Sequence, residues 1–148
     1  LFYRAFVNEK LLRYNFARLD YQNLLVLVPG NFQAQLGLAL LNEKDKHYTE
    51  AYDGINSLIE QYPDSAMAYA ARGGMEKERG MLELAEFDYA KAMELDAGNE
   101  DFAFNHVDIL ILLGRKDEAY RDLKKLLDAG CQPGRLQGFY ARLKKKKK

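Results

Sequence analysis

Four alanines recur with a constant 34-residue period along this sequence. Each is followed four positions later by a large side chain, and residues four apart share one face of a helix. A fixed period between roughly 20 and 50 residues is typical of arrays of stacked supersecondary units, each of which buries its apolar face against its neighbours. The pairs are Ala17 with Tyr21, Ala51 with Ile55, Ala85 with Tyr89, and Ala119 with Leu123.

The copy at residues 66–99 shows the pattern of two helices joined by a short turn. Its apolar positions predict a first helix from about Ala66 to Glu78 and a second from about Leu82 to Leu95. Gly80 lies between them, where a helix end commonly needs left-handed backbone that glycine adopts without strain. Because the turn is short, the two helices are expected to be antiparallel.

This copy resembles a tetratricopeptide repeat, whose pattern is W-x2-L-G-x2-Y, then A-x3-F, then P. Tyr69 stands at the Trp position, Gly73 at the Gly position, and Ala85 and Tyr89 at A-x3-F, with Ala92 as the second small residue. The sequence departs from the pattern at three positions. Arg72 replaces the Leu, Glu76 replaces the Tyr, and Ala97 replaces the Pro.

The resemblance implies an all-α fold, a right-handed superhelical solenoid of antiparallel helix pairs. It also implies a protein that uses no cofactor. We expect a single domain over residues 1–148, because no stretch between the copies has the composition of a flexible linker. The chain begins with Leu1 inside a repeat, so we expect a fragment or a processed chain. The predicted units are a truncated repeat at 1–31, repeats at 32–65, 66–99 and 100–133, and a capping helix at 134–148.

The charge distribution argues against general nucleic-acid binding. Lysines and arginines total 22, as do aspartates and glutamates, but five of the basic residues form the run Lys144–Lys148. Without that run the body has 17 basic and 22 acidic residues, whereas nucleic-acid binding requires a basic face. Apolar runs such as Leu24–Val28 are far shorter than the ~18 residues that a membrane span needs.

No catalytic or metal-binding constellation stands out, so we expect no enzyme. His47 falls in a predicted turn and His106 on a predicted packing face, and neither has Cys, Asp or Glu at metal-ligand spacing. Cys131 is the single cysteine, which excludes an intrachain disulfide, and it has no paired base in the sequence. We expect His106 and Cys131 to be packing residues.

The resemblance also implies where a partner would bind, because the first helix of each tetratricopeptide pair lines a concave groove. We predict a hollow floored by the small residues Ala70 and Gly74 and walled by large apolar side chains. Helical spacing alone does not distinguish such a lining from side chains that simply pack between helices. The predicted peptide- or partner-binding residues are Leu36, Leu40, Ala70, Gly74, Lys77, Phe104, Asp108 and Ile111, with Phe2, Phe6 and Glu43 also facing inward.

Some chaperone-binding members of the family hold a terminal carboxylate with Lys, Asn and Arg on these inner faces. This chain has Gln33, Met67 and Asp101 on the neighbouring turns, and Asn105 alone is suitable. We therefore do not expect it to recognise a chaperone tail.

The function we expect is a non-enzymatic interaction module, a scaffold or adaptor that binds a protein or peptide in an apolar concave groove. Two alternatives remain open. One is self-association into a homo-oligomer through apolar edges such as Phe139 and Tyr140. The other is binding of an anionic surface by Lys144–Lys148, a run that also suits a solvated helix end.

Overall fold

The computed structural model describes residues 1–10 and 13–145, and these form nine α-helices, one 3-10 turn and no strand. The predicted all-α architecture is therefore confirmed. The helices are α1 (Phe2–Lys10), α2 (Tyr14–Leu27), α3 (Phe32–Lys44), α4 (Tyr48–Gln61), α5 (Ala66–Glu78), α6 (Leu82–Leu95), α7 (Glu100–Leu112), α8 (Lys116–Asp128) and α9 (Gln137–Lys144), with the 3-10 turn at Pro133–Leu136.

The helices pack as consecutive pairs. Each odd-numbered helix up to α7 contacts the even-numbered helix after it, and α2, α4 and α6 each contact the next odd-numbered helix. In addition, α3 contacts α5, and α7 contacts α9. The odd-numbered helices therefore lie side by side along the stack, and we call the surface they form the inner face.

Small residues allow the two helices of a pair to approach closely. All four alanines of the 34-residue ladder are fully buried. A Cβ placed on Gly73 would lie 2.8 Å from the ring of Tyr89, and one on Gly37 would lie 2.6 Å from the ring of Tyr21. Such short separations leave no room for a side chain, so the glycines set the packing distance.

The turns inside the second, third and fourth repeats share one left-handed geometry, but only two of them have glycine at that position. The predicted bounds of α5 and α6 agree with the structure, and Gly80 and Gly114 have positive φ angles of 76° and 77°. Lys46 occupies the position of Gly80 one repeat earlier and has the same left-handed geometry, with a φ of 62°. A side chain in this conformation costs energy that glycine avoids, so the second repeat has a strained turn.

An ion pair that the sequence analysis did not anticipate recurs inside three of the four pairs. In each case a basic residue of the first helix pairs with an aspartate 16 positions later in the second helix. Asp20 and Asp88 are almost completely buried. The pairs are Arg4–Asp20, Arg72–Asp88 and His106–Asp122, and the corresponding residues of the second repeat are Leu38 and Gly54.

The last helix covers the end of the core. Leu136 and Leu143 are buried in one cluster with Cys131, on the side of the fourth pair. The ring of Phe139 lies 5.9 Å from that of Phe104. The segment predicted as a capping helix, 134–148, therefore starts within the 3-10 turn and continues as α9. Its last residues, Lys146–Lys148, lie outside the described residues.

Candidate functional site

Side chains of α5, α7 and α9 form a chain of ion pairs on the inner face. The Asp108 carboxylate accepts hydrogen bonds from Lys77 and, at 2.5 Å, from Arg142. Burial alone would raise the pKa of Asp108, but these hydrogen bonds and charges outweigh it and hold the pKa below its usual value. The predicted site residues Lys77 and Asp108 are therefore brought together, and they neutralise each other.

Phe104 and Ile111 take part in packing at the same end of the molecule. The ring of Phe104 contacts that of Phe139, and the guanidinium carbon of Arg135 lies 4.7 Å from its centroid. Ile111 is half-buried and packs against the same core cluster. The structure thus places these two predicted groove walls against their own chain.

Leu36 is also a core residue. It is 6% exposed and belongs to the cluster that contains Ala39, Ala51 and Ile55. Glu43 contacts Arg79, whose Nη2 lies 2.8 Å from the Glu43 Oε1 atom. For these inner-face positions, contacts within the chain replace the open lining that the resemblance implied.

The central part of the inner face carries small side chains. Ala70 and Gly74 are both half-buried. A Cβ on Gly74 would lie 3.3 Å from the Tyr89 hydroxyl oxygen, which therefore sits directly beneath this position. Burial, followed by the charge of Asp108, raises the pKa of Tyr89, so its hydroxyl keeps its proton and can donate a hydrogen bond.

The part of the inner face formed by α1 and α3 exposes large apolar side chains. Phe2 is 42% exposed, Phe6 48% and Leu40 36%. Phe6 and Leu40 are one repeat period apart and therefore occupy the same repeat position in neighbouring first helices. We call Phe2, Phe6 and Leu40 the apolar patch.

Basic groups border the apolar patch. The Lys10 ammonium lies 5.3 Å from the centroid of the Phe6 ring, a cation–π distance. Lys44 at the end of α3 pairs with Glu9 of α1 and ties the two helices together. The apolar side chains are thus flanked by two ammonium groups.

His106 and Cys131, which were considered for catalysis, are both buried and contact neighbouring side chains of the solenoid. His106 is buried, with Nδ1 against Asp122 and Nε2 2.8 Å from Glu86. Burial would lower the pKa of His106, but the hydrogen bonds to Asp122 and Glu86 outweigh it and raise the pKa. Cys131 is buried in the last core cluster, where its Sγ donates to the Gln132 carbonyl oxygen at 3.8 Å, and the nearby Glu100 carboxylate, together with burial, raises its pKa.

Residues 1–10 and 13–145 contain no group of three His, Cys, Asp or Glu side chains that could hold a metal ion. Within the same ranges, every helix is too short or too polar to cross a membrane.

The two alternative functions rest on the apolar edge at Phe139 and Tyr140 and on the lysine run Lys144–Lys148. Phe139 and Tyr140 are half-buried, and Tyr140 packs its ring 6.1 Å from that of Tyr120. Of the lysine run, Lys144 ends α9 and Lys145 is exposed, while Lys146–Lys148 lie outside the described residues.

Sequence reasoning missed the ion pairs inside the repeats. The signal was present, since Arg4, Arg72 and His106 share one repeat position and aspartates recur 16 positions after them. Comparing single positions with the tetratricopeptide pattern does not reveal these pairs, because the basic residue and the aspartate change together.

Stacked antiparallel helix pairs with a 34-residue period define an α-solenoid, and comparison with solved structures identifies its type. No protein-family model matches the chain, and no curated protein matches it. MamA from Desulfovibrio magneticus superimposes with a TM-score of 0.73 at 20% identity, over 86% of this chain and 72% of that one.

Two further structures agree. A tetratricopeptide repeat protein from Parabacteroides merdae matches with a TM-score of 0.76 at 19% identity, over 94% of this chain and 54% of that one. The first tetratricopeptide domain of Spaghetti (RPAP3), bound to an HSP90 peptide, matches with a TM-score of 0.68 at 21% identity, over 76% and 90%. At these identities the likeness establishes the fold: the chain is a tetratricopeptide-like solenoid.

Proposed function

We propose that this chain is a non-enzymatic protein-interaction scaffold that binds a peptide or a partner helix on its inner face. The fold supports this proposal, because solenoids of stacked helix pairs present extended surfaces that suit such partners. The RPAP3 domain with the same fold is bound to an HSP90 peptide in its structure.

The observation that carries the proposal is the apolar patch. Phe2, Phe6 and Leu40 expose apolar surface on neighbouring helices, and grouped exposed apolar side chains commonly mark interaction sites. Leu40, Ala70 and Gly74 continue this surface along α3 and α5. We therefore assign the anchoring role to the apolar patch, with Ala70 and Gly74 as the adjoining shallow region.

The remaining predicted residues act differently in this proposal. Leu36, Phe104 and Ile111 stabilise the solenoid through packing. Lys77 and Asp108 close the surface at its far end, because their charges satisfy each other. A ligand would have to break that ion pair to use either group.

Charge complementarity indicates the chemistry of the partner. The Lys10 ammonium borders the apolar patch at Phe6, whereas Lys44 is already paired with Glu9, so a segment with a large apolar anchor next to an acidic residue would satisfy both the patch and Lys10. Asn105 donates its amide to the Asp101 carbonyl oxygen at 2.9 Å, within its own helix. This supports an internal acidic and apolar segment as ligand in preference to a clamped terminal carboxylate.

A displayed library of random peptides tests the proposal even though the natural partner is unidentified. We expect the peptides enriched on the native chain to share a large apolar residue beside Asp or Glu. Leu40→Glu should weaken their binding at least about 30-fold, since a central anchor is worth about 2 kcal/mol or more.

Asp108→Asn is the matched control, because Asp108 occupies the same repeat position as Leu40 two repeats later. This variant should retain binding, with the helicity of both variants verified by circular dichroism. If the enriched peptides bind the native chain and the Leu40→Glu variant with equal affinity, this result would contradict the proposed site.

A further inference from the structure

One oxygen of a buried carboxyl group in the middle of the solenoid lacks a hydrogen-bond partner among the described residues. Glu76 of α5 is 1% exposed, and the Tyr52 hydroxyl of α4 donates to its Oε2 atom at 2.7 Å. Its Oε1 atom is also buried and has no partner among the described residues. An ionised carboxylate left half-satisfied in this position would be strongly destabilising.

A second buried carboxyl group belongs to the same cluster. Asp88 of α6 is 2% exposed and faces Glu76. The nearby cation, Arg72, places two hydrogen bonds of 2.8 Å on Asp88 and a third of 3.1 Å on Asn56. Because its donors are directed at these two residues, Arg72 neutralises one carboxylate, and two adjacent carboxylates do not both ionise readily.

The first repeat has an equivalent cluster, in which an uncharged hydrogen-bond donor stands beside the buried aspartate. There Arg4 binds Asp20 as Arg72 binds Asp88, and the Asn8 amide donates to the Asp20 Oδ2 atom at 3.2 Å. Asn8 precedes Glu76 by two repeat periods, so the two residues occupy the same position. An amide donor in one repeat corresponds to a carboxyl group in the other.

The other two repeats also have an uncharged residue at this position. Asn42 accepts a hydrogen bond from Arg18 at 3.0 Å, and Leu110 is part of the last core cluster. A neutral carboxylic acid resembles an amide in shape and, like it, offers both a donor and an acceptor. A protonated Glu76 would therefore make the position uncharged in all four repeats.

We propose that Glu76 is a proton-binding site: at neutral pH it carries a proton on Oε1 and donates it to Asp88, which joins α5 to α6 within the third repeat, while its Oε2 atom accepts from Tyr52 of the second repeat. Tyr52 on α4, Arg72 on α5 and Asp88 on α6 are the titratable and charged groups that face it. Arg79 borders the cluster, with its guanidinium carbon 5.6 Å from the centroid of the Tyr52 ring.

The electrostatic environment supports this assignment. Burial is the largest cause, followed by the neighbouring Asp88 carboxyl group, and together they raise the pKa of Glu76 to about 8 from an ordinary value of 4.5. Burial and the contact with Glu76 also raise the pKa of Tyr52 to about 12. Tyr52 thus remains a donor throughout the range in which Glu76 titrates.

A raised pKa in the folded state has a defined effect on stability. The folded chain holds this proton more tightly than the unfolded chain, so the proton stabilises the fold fully below pH 4.5. As the pH rises from there to about 8, the folding equilibrium constant falls by about tenfold per pH unit from this one group. Above about pH 8 the stabilisation by this proton is completely lost, and the folding equilibrium constant no longer changes with pH through this group.

Urea unfolding of the native chain and of Glu76→Gln between pH 5.5 and 9 tests the proposal. Glutamine keeps a donor toward Asp88 but cannot ionise. The ratio of the variant's folding constant to that of the native chain should rise about tenfold per pH unit and level off near pH 8. His106 is present in both proteins, so its titration cancels in the ratio.

Glu78→Gln is the matched control, because Glu78 is exposed on the same helix. The ratio of the folding constant of Glu78→Gln to that of the native chain should stay constant over the same pH range. A ratio that is also constant for Glu76→Gln would overturn the proposal.

Infrared spectroscopy of the native chain provides a readout that does not depend on the variant folding. The carbonyl band of a neutral carboxylic acid should be present at pH 7 and disappear with a midpoint near 8. Absence of that band at pH 7 would equally overturn the proposal.

Discussion

The two ends of the inner face have the same repeat positions but opposite surroundings. One position is occupied in turn by Phe6, Leu40, Gly74, Asp108 and Arg142, each one repeat period after the last. Phe6 and Leu40 are exposed, whereas Asp108 and Arg142 are joined to each other.

A second repeat position shows the same contrast. Phe2 is exposed beside Tyr21, with the two ring centroids 6.1 Å apart, whereas Phe104 is held between Phe139 and Arg135. The repeat pattern thus places a side chain on the inner face but does not decide whether a ligand can reach it. That depends on the next helix along the stack, which at the C-terminal end is α9.

Replacing each phenylalanine with alanine should give the largest difference between the two ends. Phe104→Ala removes contacts with Phe139 and with the last core cluster and should lower the free energy of unfolding by about 2–3 kcal/mol. Phe2→Ala, at the same repeat position, should cost less than about 1 kcal/mol. Urea titration measures both, and equal losses would show that the two ends are alike.

Asp108→Asn should have a smaller effect that depends on salt and pH. It removes the negative charge that pairs with Lys77 and Arg142 and should cost about 1 kcal/mol at low salt, with a smaller loss at high salt. Because the pKa of Asp108 is lowered in the folded chain, its contribution is present above the ordinary value of 3.8 and is lost as the pH falls through the folded value.

The difference between native chain and Asp108→Asn should therefore narrow in acid. An unfolding free energy that differs by the same amount at every salt concentration and pH would contradict the ion-pair assignment.

The smallest expected effect concerns the turns. Lys46→Gly should raise the free energy of unfolding by about 0.5–1 kcal/mol, because Lys46 has the left-handed geometry that glycine adopts without strain. Gly80→Lys, the reverse change one repeat later, should lower it by about 1 kcal/mol. Thermal unfolding measures both shifts, and a destabilised Lys46→Gly would refute the strained turn.

The sequence predicted the fold in detail where local chemistry decides it. The bounds of α5 and α6 and the left-handed Gly80 follow from helix periodicity and glycine stereochemistry. The left-handed geometry of Lys46 was not predictable in this way, because a lysine side chain disfavours that geometry.

The site was less predictable, because its residues are covered by parts of the chain that are distant in sequence. Phe104 contacts Phe139 and Asp108 contacts Arg142, and both of these partners belong to the helix that follows the fourth repeat. Helical spacing reports which face a residue occupies, and not which side chain of another helix lies over it. The open lining of the groove therefore could not be separated from packing until the positions of α7 and α9 were known.

The most direct test of the difference between the two ends is a map of backbone amide chemical shifts as a library-selected peptide is titrated into the isotope-labelled chain. We expect the largest changes to fall in α1 and α3, around Phe6 and Leu40, with smaller changes near Gly74. Changes concentrated in α7 and α9, around Phe104 and Asp108, would contradict this expectation and would place the binding surface at the end that the chain itself covers.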